Sequence, residues 1–275
     1  MNLVRAELLK LRTTSLWWVF GLVLLPLWAA SVLVNWVSSR NTTVPPADSG
    51  LSEQQVEQIR AAGRAINVAT NLYTSGQFMG VLLVLLLSAI VVTNEYFHQT
   101  ATTTFLVTPK RQNVVLAKFV AGLVIALVTW AVTTIGNLIV VPFILRSLHF
   151  GNQLDEPAVW RAIGLNALAF GLWAILGVGA GVLIRSQLGA TLTLAITYLI
   201  GTSGVGLVFF LLTQYVAEWF SKLQVLVPTT ASQLMISGTE LPGNPPRWVG
   251  AVVLIAYALV MGVLGTAIMK RRDIS

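Results

Sequence analysis

The sequence predicts an all-α polytopic membrane protein with six transmembrane helices, and three observations carry that prediction. Of the 275 residues, 56% are hydrophobic and only 10% charged, so a water-soluble globule of this length would leave much apolar surface exposed. Six apolar runs have the length needed to cross a hydrocarbon core about 30 Å thick, which takes roughly 20 helical residues. The Lys and Arg residues gather at the ends of those runs, so the net charge of +7 reads as a set of topology signals and not as a nucleic-acid-binding surface.

The runs cover residues 16–37, 76–93, 119–145, 162–184, 188–212 and 248–269. They lack the two-residue alternation of an outer-membrane barrel and are too long for its strands. The second run is short and borrows the preceding Leu72 to Ser75. The first exceeds the apolar core of a cleaved signal peptide, and no small-x-small site follows it. With both termini in the cytoplasm of a bacterial cell, ten of the seventeen basic residues lie inside, accompanied by only Glu7, Glu95 and Asp273. The outer side then holds seven basic and seven acidic residues, so the whole +7 excess is cytoplasmic, as the positive-inside rule requires of an inner-membrane protein. Trp36, Trp160, Trp219 and Trp248 form the outer aromatic belt, and Trp17 and Trp18 the inner one.

Two outer connections are long. Residues 38–75 open on a proline-rich polar loop and continue as a helix, with Ser52 and Gln55 as its capping box and Leu51 and Val56 at the staple positions. That helix serves either as a lid over a substrate exit or as a rim lying on the protein's own outer surface. Residues 213–247 contain the apolar piece Val225 to Val227 and the prolines Pro228, Pro242, Pro245 and Pro246. They form either a short re-entrant element, tolerated only where protein covers the freed backbone groups, or a surface loop with one helical turn.

The residue inventory excludes several chemistries. There is no cysteine, and the two histidines, His98 and His149, are in no ligand-spaced cluster, so neither thiol chemistry nor a metal site is expected. Gly201-Thr202-Ser203-Gly204 has the form used by intramembrane serine proteases, but no histidine follows His149 to serve as base. The glycines there read instead as loosening the fifth helix or admitting a close neighbour. Gly177 and Gly181 form a G-x-x-x-G for close helix packing, within the chain or between copies. The central spans hold no charged group for an ion relay, only neutral residues such as Asn137, Thr133, Thr134 and Asn166. No G-x-x-x-x-G-K-[ST] loop is present, so an ATPase that drives this chain is another polypeptide.

The most informative stretch is the cytoplasmic connection between spans two and three. It runs from Glu95 at the membrane exit, through Gln99, Thr100 and the Thr-rich piece containing Thr103, Thr104 and Leu106, to Pro109, Lys110 and Arg111. From the residues alone it is equally a compact element for docking in a partner's groove and an ordinary basic loop. The N-terminal segment 1–14 carries a stripe of Val4, Leu8 and Leu11 with Arg5 and Arg12 beside it, while Glu7 and Lys10 blur its amphipathicity.

These features, in this order, resemble the permease subunits of type-2 ABC transporters across the whole chain. The family opens with an amphipathic elbow helix, matched by 1–14. It continues with a glutamate, a Gly-Thr, a Pro-x-Arg and a Lys before span three. This chain supplies Glu95, Gln99-Thr100, Pro109-Lys110-Arg111 and Lys118, with Gln99 standing where the family often has glycine. The basic end Lys270-Arg271-Arg272-Asp273 is similar to the family's tail. The resemblance implies one permease domain over 1–275, a cytoplasmic coupling helix within 94–113, and a second permease copy or sister permease. It also implies two cytoplasmic ABC ATPase subunits, which bind ATP and Mg while this chain binds no cofactor and performs no catalysis itself.

Under that reading Glu95, Gln99, Thr100, Thr103, Thr104, Leu106, Pro109 and Arg111 couple to the ATPase. Arg5, Lys10, Arg12, Lys110, Lys118, Arg271 and Arg272 anchor at inner lipid headgroups. Asn137, Asn166, Phe170 and Trp173 are the candidate substrate path, with Trp28 and Trp130 adding to an aromatic interface that suits hydrophobic drugs, peptides or lipid-like molecules. Export is the expected direction. An ion-coupled carrier or channel, or a non-transporting membrane scaffold, are the rival readings.

Overall fold

The stretch from Val81 to Val92 is almost wholly Leu, Val, Ile and Ala, with no polar face to turn toward water, and it lies at the centre of the molecule. The computed structural model describes residues 2–41, 53–100, 111–217, 219–240 and 243–271. Among these, six helices are long and apolar enough to cross a membrane: Trp17–Asn41, Ala65–Phe97, Gln112–Ser147, Pro157–Leu183, Gln187–Tyr215 and Arg247–Met269. The second has 83% of its most apolar window buried, against 11% in the first and 6% in the fifth. The bundle is therefore built around span two, with spans one and five at its periphery.

Span four packs most closely on span two, and glycines make the approach. A Cβ at Gly177 would run into the Leu85 carbonyl oxygen and, at 2.8 Å, the Ser88 side chain; one at Gly181 would meet the Ala89 carbonyl at 2.7 Å. The G-x-x-x-G thus joins two helices of the same chain. Gly179, on another face of the same helix, meets Gly265 of span six. Gly204 has no neighbour within 4 Å, so on span five small residues do not mark helix contact. There a π-helical turn, Thr197–Gly201, separates Gln187–Ile196 from Thr202–Tyr215. The Ser203 hydroxyl donates to the Leu199 carbonyl of its own helix.

Span two starts earlier than its apolar run. Helix Ala65–Tyr73 leads into Gln77–Phe97 through a break at Thr74 to Gly76, where Gly76 has φ +87° and a Cβ would sit 2.9 Å from Trp28. The break frees carbonyls that need partners. The Asn137 side chain donates to the Tyr73 and Ser75 carbonyls, both at 2.9 Å, and accepts from the Trp28 indole N–H at 2.7 Å. One buried amide therefore holds spans one, two and three together at the break.

The preceding helix is Glu53–Ala62; Ser52 and Leu51 of its expected cap lie outside the described residues. The 213–247 connection forms short helices, Phe220–Leu223 and Pro228–Met235, joined by the 3₁₀ turn Gln224–Leu226. The second folds back on span six, where a Cβ at Gly250 would strike the Ala231 carbonyl. The Gln77 amide donates to the Ser232 hydroxyl at 2.8 Å. This segment is packed inward over Thr229, Ala231, Ser232 and Met235, all buried. Trp17 and Trp18 are exposed at one end of the bundle and Trp160, Trp219 and Trp248 at the other.

Candidate coupling site

The N-terminal helix, Asn2–Thr13, docks on the end of the bundle where span two finishes and span three begins. Glu7 and Lys10, three residues apart, share one face of it, and their pairing is direct at 2.7 Å. Lys10 Nζ also lies 2.7 Å from Glu95 Oε1, in the last turn of span two. Lys118, two turns into the helix Arg111–Ser147, places Nζ 3.0 Å from Glu7 Oε2, 3.1 Å from Glu95 Oε1 and 3.2 Å from the Val91 carbonyl. An ammonium has three donors, and Lys118 has three oxygens for them.

Lys118 is 0% exposed, Glu7 5% and Glu95 4%. A lone ammonium so enclosed would cost several kcal/mol; two carboxylates and two ammoniums instead make a neutral cluster. Burial disfavours the charged amine of Lys10, but the hydrogen bonds and charges of Glu7 and Glu95 outweigh it, so its pKa stands above the ordinary lysine value. The cluster ties three separate segments of the chain into one body.

The expectation that Lys118 anchors at headgroups is corrected by this geometry: a fully enclosed ammonium cannot reach lipid phosphate, and its charge is used inside the protein. Lys10 is turned toward the same cluster and only partly exposed. Arg5 and Arg12 are exposed on the N-terminal helix. Arg271 ends the last helix, while Lys110 and Arg272 lie outside the described residues.

Glu95 has a second role through its backbone. The Thr100 N–H bonds back to the Glu95 carbonyl at 2.9 Å and the Gln99 N–H to the Tyr96 carbonyl at 3.3 Å, the two bonds of a Schellman cap. The position that needs a left-handed residue is Gln99, with φ +55°. Gln99 thus adopts the left-handed conformation that glycine takes most readily, and span two ends in a helix stop rather than continuing as helix. Thr103, Thr104, Leu106 and Pro109 lie outside the described residues, and Arg111 opens the next helix.

The residues expected along a substrate path separate. Asn137 is 1% exposed and fully used at the helix break, and Phe170 is 0% exposed, packed where a Cβ on Gly80 would meet its ring at 2.8 Å. Both are packing residues, because neither presents a surface. Asn166 is buried with its carbonyl oxygen unpartnered. Trp173, in edge-on contact with Tyr198 at 5.1 Å, lines an apolar crevice of about 510 Å³ between spans four, five and six. Glu7 is the site residue that sequence reasoning missed. Its signal was visible, since an acid and a base three residues apart interrupt an otherwise amphipathic helix.

Six apolar helices, a docked N-terminal helix and an ion-pair cluster at the stop of span two define a multi-span membrane protein with a built connection at one membrane face. A family described as ABC-2 family transporter protein matches residues 1–274. The chain belongs to that family: it is a transmembrane subunit, and the ABC ATPase it associates with is a separate partner. A comparison with curated proteins finds no match.

Proposed function

We propose that the chain is the permease of an ATP-driven exporter in a bacterial inner membrane, with both termini cytoplasmic. Two copies, or one copy and a sister permease, assemble with two ATPase subunits that bind ATP and Mg. Segment 95–111 receives their motion, and hydrophobic or amphipathic molecules cross by alternating access. The cluster of Glu7, Lys10, Glu95 and Lys118 supports this reading. A push on the segment between Glu95 and Arg111 would not dissipate in a loose loop, because both flanking helices are bolted to each other and to the N-terminal helix. Spans two and three and the elbow would then move as a unit. The apolar crevice at Trp173 suits the proposed substrate class, since apolar ligands bind in concave sites with few polar groups.

The test is to tag the C-terminus, extract the protein in mild detergent and identify what accompanies it. Recovery of an ATPase bearing a phosphate loop, at about one per permease, is the expected result. Replacing 100–106 by a Gly-Ser linker should leave insertion and that association measurable but abolish substrate-stimulated ATP hydrolysis. A chain that emerges alone in several mild detergents, or a linker variant that stays fully coupled, overturns the proposal.

A further inference from the structure

The face of the N-terminal helix next to that of Glu7 and Lys10 roofs a second feature. Leu8, Leu11 and Arg12, spaced i, i+3, i+4 and so on one side of the helix, border an apolar crevice of about 530 Å³ between that helix and spans one, two and three. Its walls run from Trp17 to Leu25 on span one and from Val124 to Val132 on span three. Each is nine residues of helix, whose eight rises of 1.5 Å span about 12 Å. One leaflet of hydrocarbon is about 15 Å deep, half of the ~30 Å core, so the crevice starts at the interface and ends near the bilayer centre.

Among the described residues, Thr129 is the sole hydroxyl on the lining, and Arg12, at the interfacial end, is its only charge. No carboxylate is within ion-pair distance of Arg12 among the described residues. A slot one leaflet deep, with a guanidinium at its mouth that pairs with no carboxylate among the described residues, matches one molecule type: an acyl chain carrying an anionic headgroup. We infer that this crevice is a binding site for an anionic phospholipid of the leaflet next to the termini, its phosphate on Arg12 and an acyl chain between spans one and three. The lipid and the ion-pair cluster hold neighbouring faces of one helix, so the bound lipid is a second attachment of the N-terminal helix to the bundle beside the cluster. This inference depends on the membrane position of the chain and not on the transport reading.

The fold supplies its own test variant. Gly21 lines the crevice and a Cβ there meets nothing within 4 Å, so Gly21→Leu fills the slot without striking protein. Gly164, also with open space around it, takes the same change on span four as control. Full-length protein is delipidated in detergent, phosphatidylglycerol or phosphatidylcholine is added, and retained lipid is counted by native mass spectrometry. Phosphatidylglycerol should be retained at one per chain and in preference to phosphatidylcholine. Arg12→Gln should weaken that retention about fivefold, the worth of one basic residue near an anionic surface. Gly21→Leu should abolish it, Gly164→Leu should leave it unchanged, and melting temperatures of the variants confirm that each is folded. Phosphatidylglycerol should also slow hydrogen exchange in residues 2–13. Equal retention of the two lipids, or unchanged retention in both Arg12→Gln and Gly21→Leu, overturns the site. So does a crevice closed by a second copy, seen as a lipid-independent dimer that Gly21→Leu dissociates.

Discussion

Lys118 and Glu7 stand 111 residues apart in the chain and 3.0 Å apart in the fold, with no solvent on the ammonium. Removing one partner of a buried pair leaves the other charge enclosed and uncompensated, which costs about 3 kcal/mol or more. Lys118→Met should therefore lower the thermal stability of the detergent-solubilised protein strongly, and Glu7→Gln less, because Lys10 and Glu95 still satisfy part of the cluster. The two changes share a partner and will not add. The double variant Glu7→Gln/Lys118→Met should be destabilised by clearly less than the sum. Additive losses in thermal unfolding would show that the two groups act independently.

Gln99 occupies the left-handed position of the cap that ends span two. A non-glycine residue there costs about 1–3 kcal/mol, and glycine adds back roughly 0.5–1 kcal/mol of chain entropy on folding. Gln99→Gly should stabilise by about 0.5–1 kcal/mol, and Gln99→Val, whose branched side chain tolerates that region least, should destabilise by at least as much. Hydrogen exchange at the Thr100 amide, which reports the cap directly, should slow in the first variant and quicken in the second.

Asn137 looked on sequence grounds like a polar group in a substrate path, and in the fold it closes a break in span two. Asn137→Leu strands two carbonyls and the Trp28 N–H, each unpaired group costing about 1–3 kcal/mol. The variant should lose stability by several kcal/mol, seen as a lowered melting temperature. In a reconstituted complex, the protein that remains folded should keep the range of molecules that stimulate hydrolysis. A change in that range at unchanged stability would return Asn137 to the path.

These cases mark what the sequence made legible. Apolar length and the placement of Lys and Arg are local quantities, and they sufficed for six spans. The partners of buried polar groups are not local. Lys118 at a helix start reads like any interfacial lysine until the N-terminal helix folds over it, and nothing near Asn137 in sequence announces a helix break at Gly76, 61 residues upstream. Gly177 and Gly181 were legible as packing residues, but only the fold shows that their neighbour is Leu85 and Ala89 of the same chain. The useful warning in the sequence was the irregularity. Glu7 and Lys10 spoil the amphipathic stripe because their face is turned to two charges, not to headgroups.

Gly177→Ala tests that contact. The added methyl would overlap the Leu85 carbonyl, a backbone atom that cannot swing aside, so spans two and four must separate, at about 1–3 kcal/mol. The same substitution at Gly204, with open space around it, should change the melting temperature little. Equal effects of the two would show that helix propensity, not contact, decides at both sites.

The pH response of the cluster follows from Lys10. Its pKa is raised above the ordinary 10.5 by Glu7 and Glu95. A group whose folded value is raised lends stability that is fully present below its unfolded value and is lost as the pH climbs through the folded one. The Lys10 contribution should therefore be constant through neutral pH and begin to fade only above 10.5. It makes Lys10 a fixed fastener, since no physiological pH change reaches its titration. Thermal unfolding of the wild type and of Lys10→Met, measured side by side from neutral to strongly alkaline buffer, isolates it from other titrating groups. The difference in melting temperature should stay level to about pH 10 and then shrink. A difference that vanished by pH 8 would mean that Lys10 is not held by the two carboxylates in the folded protein.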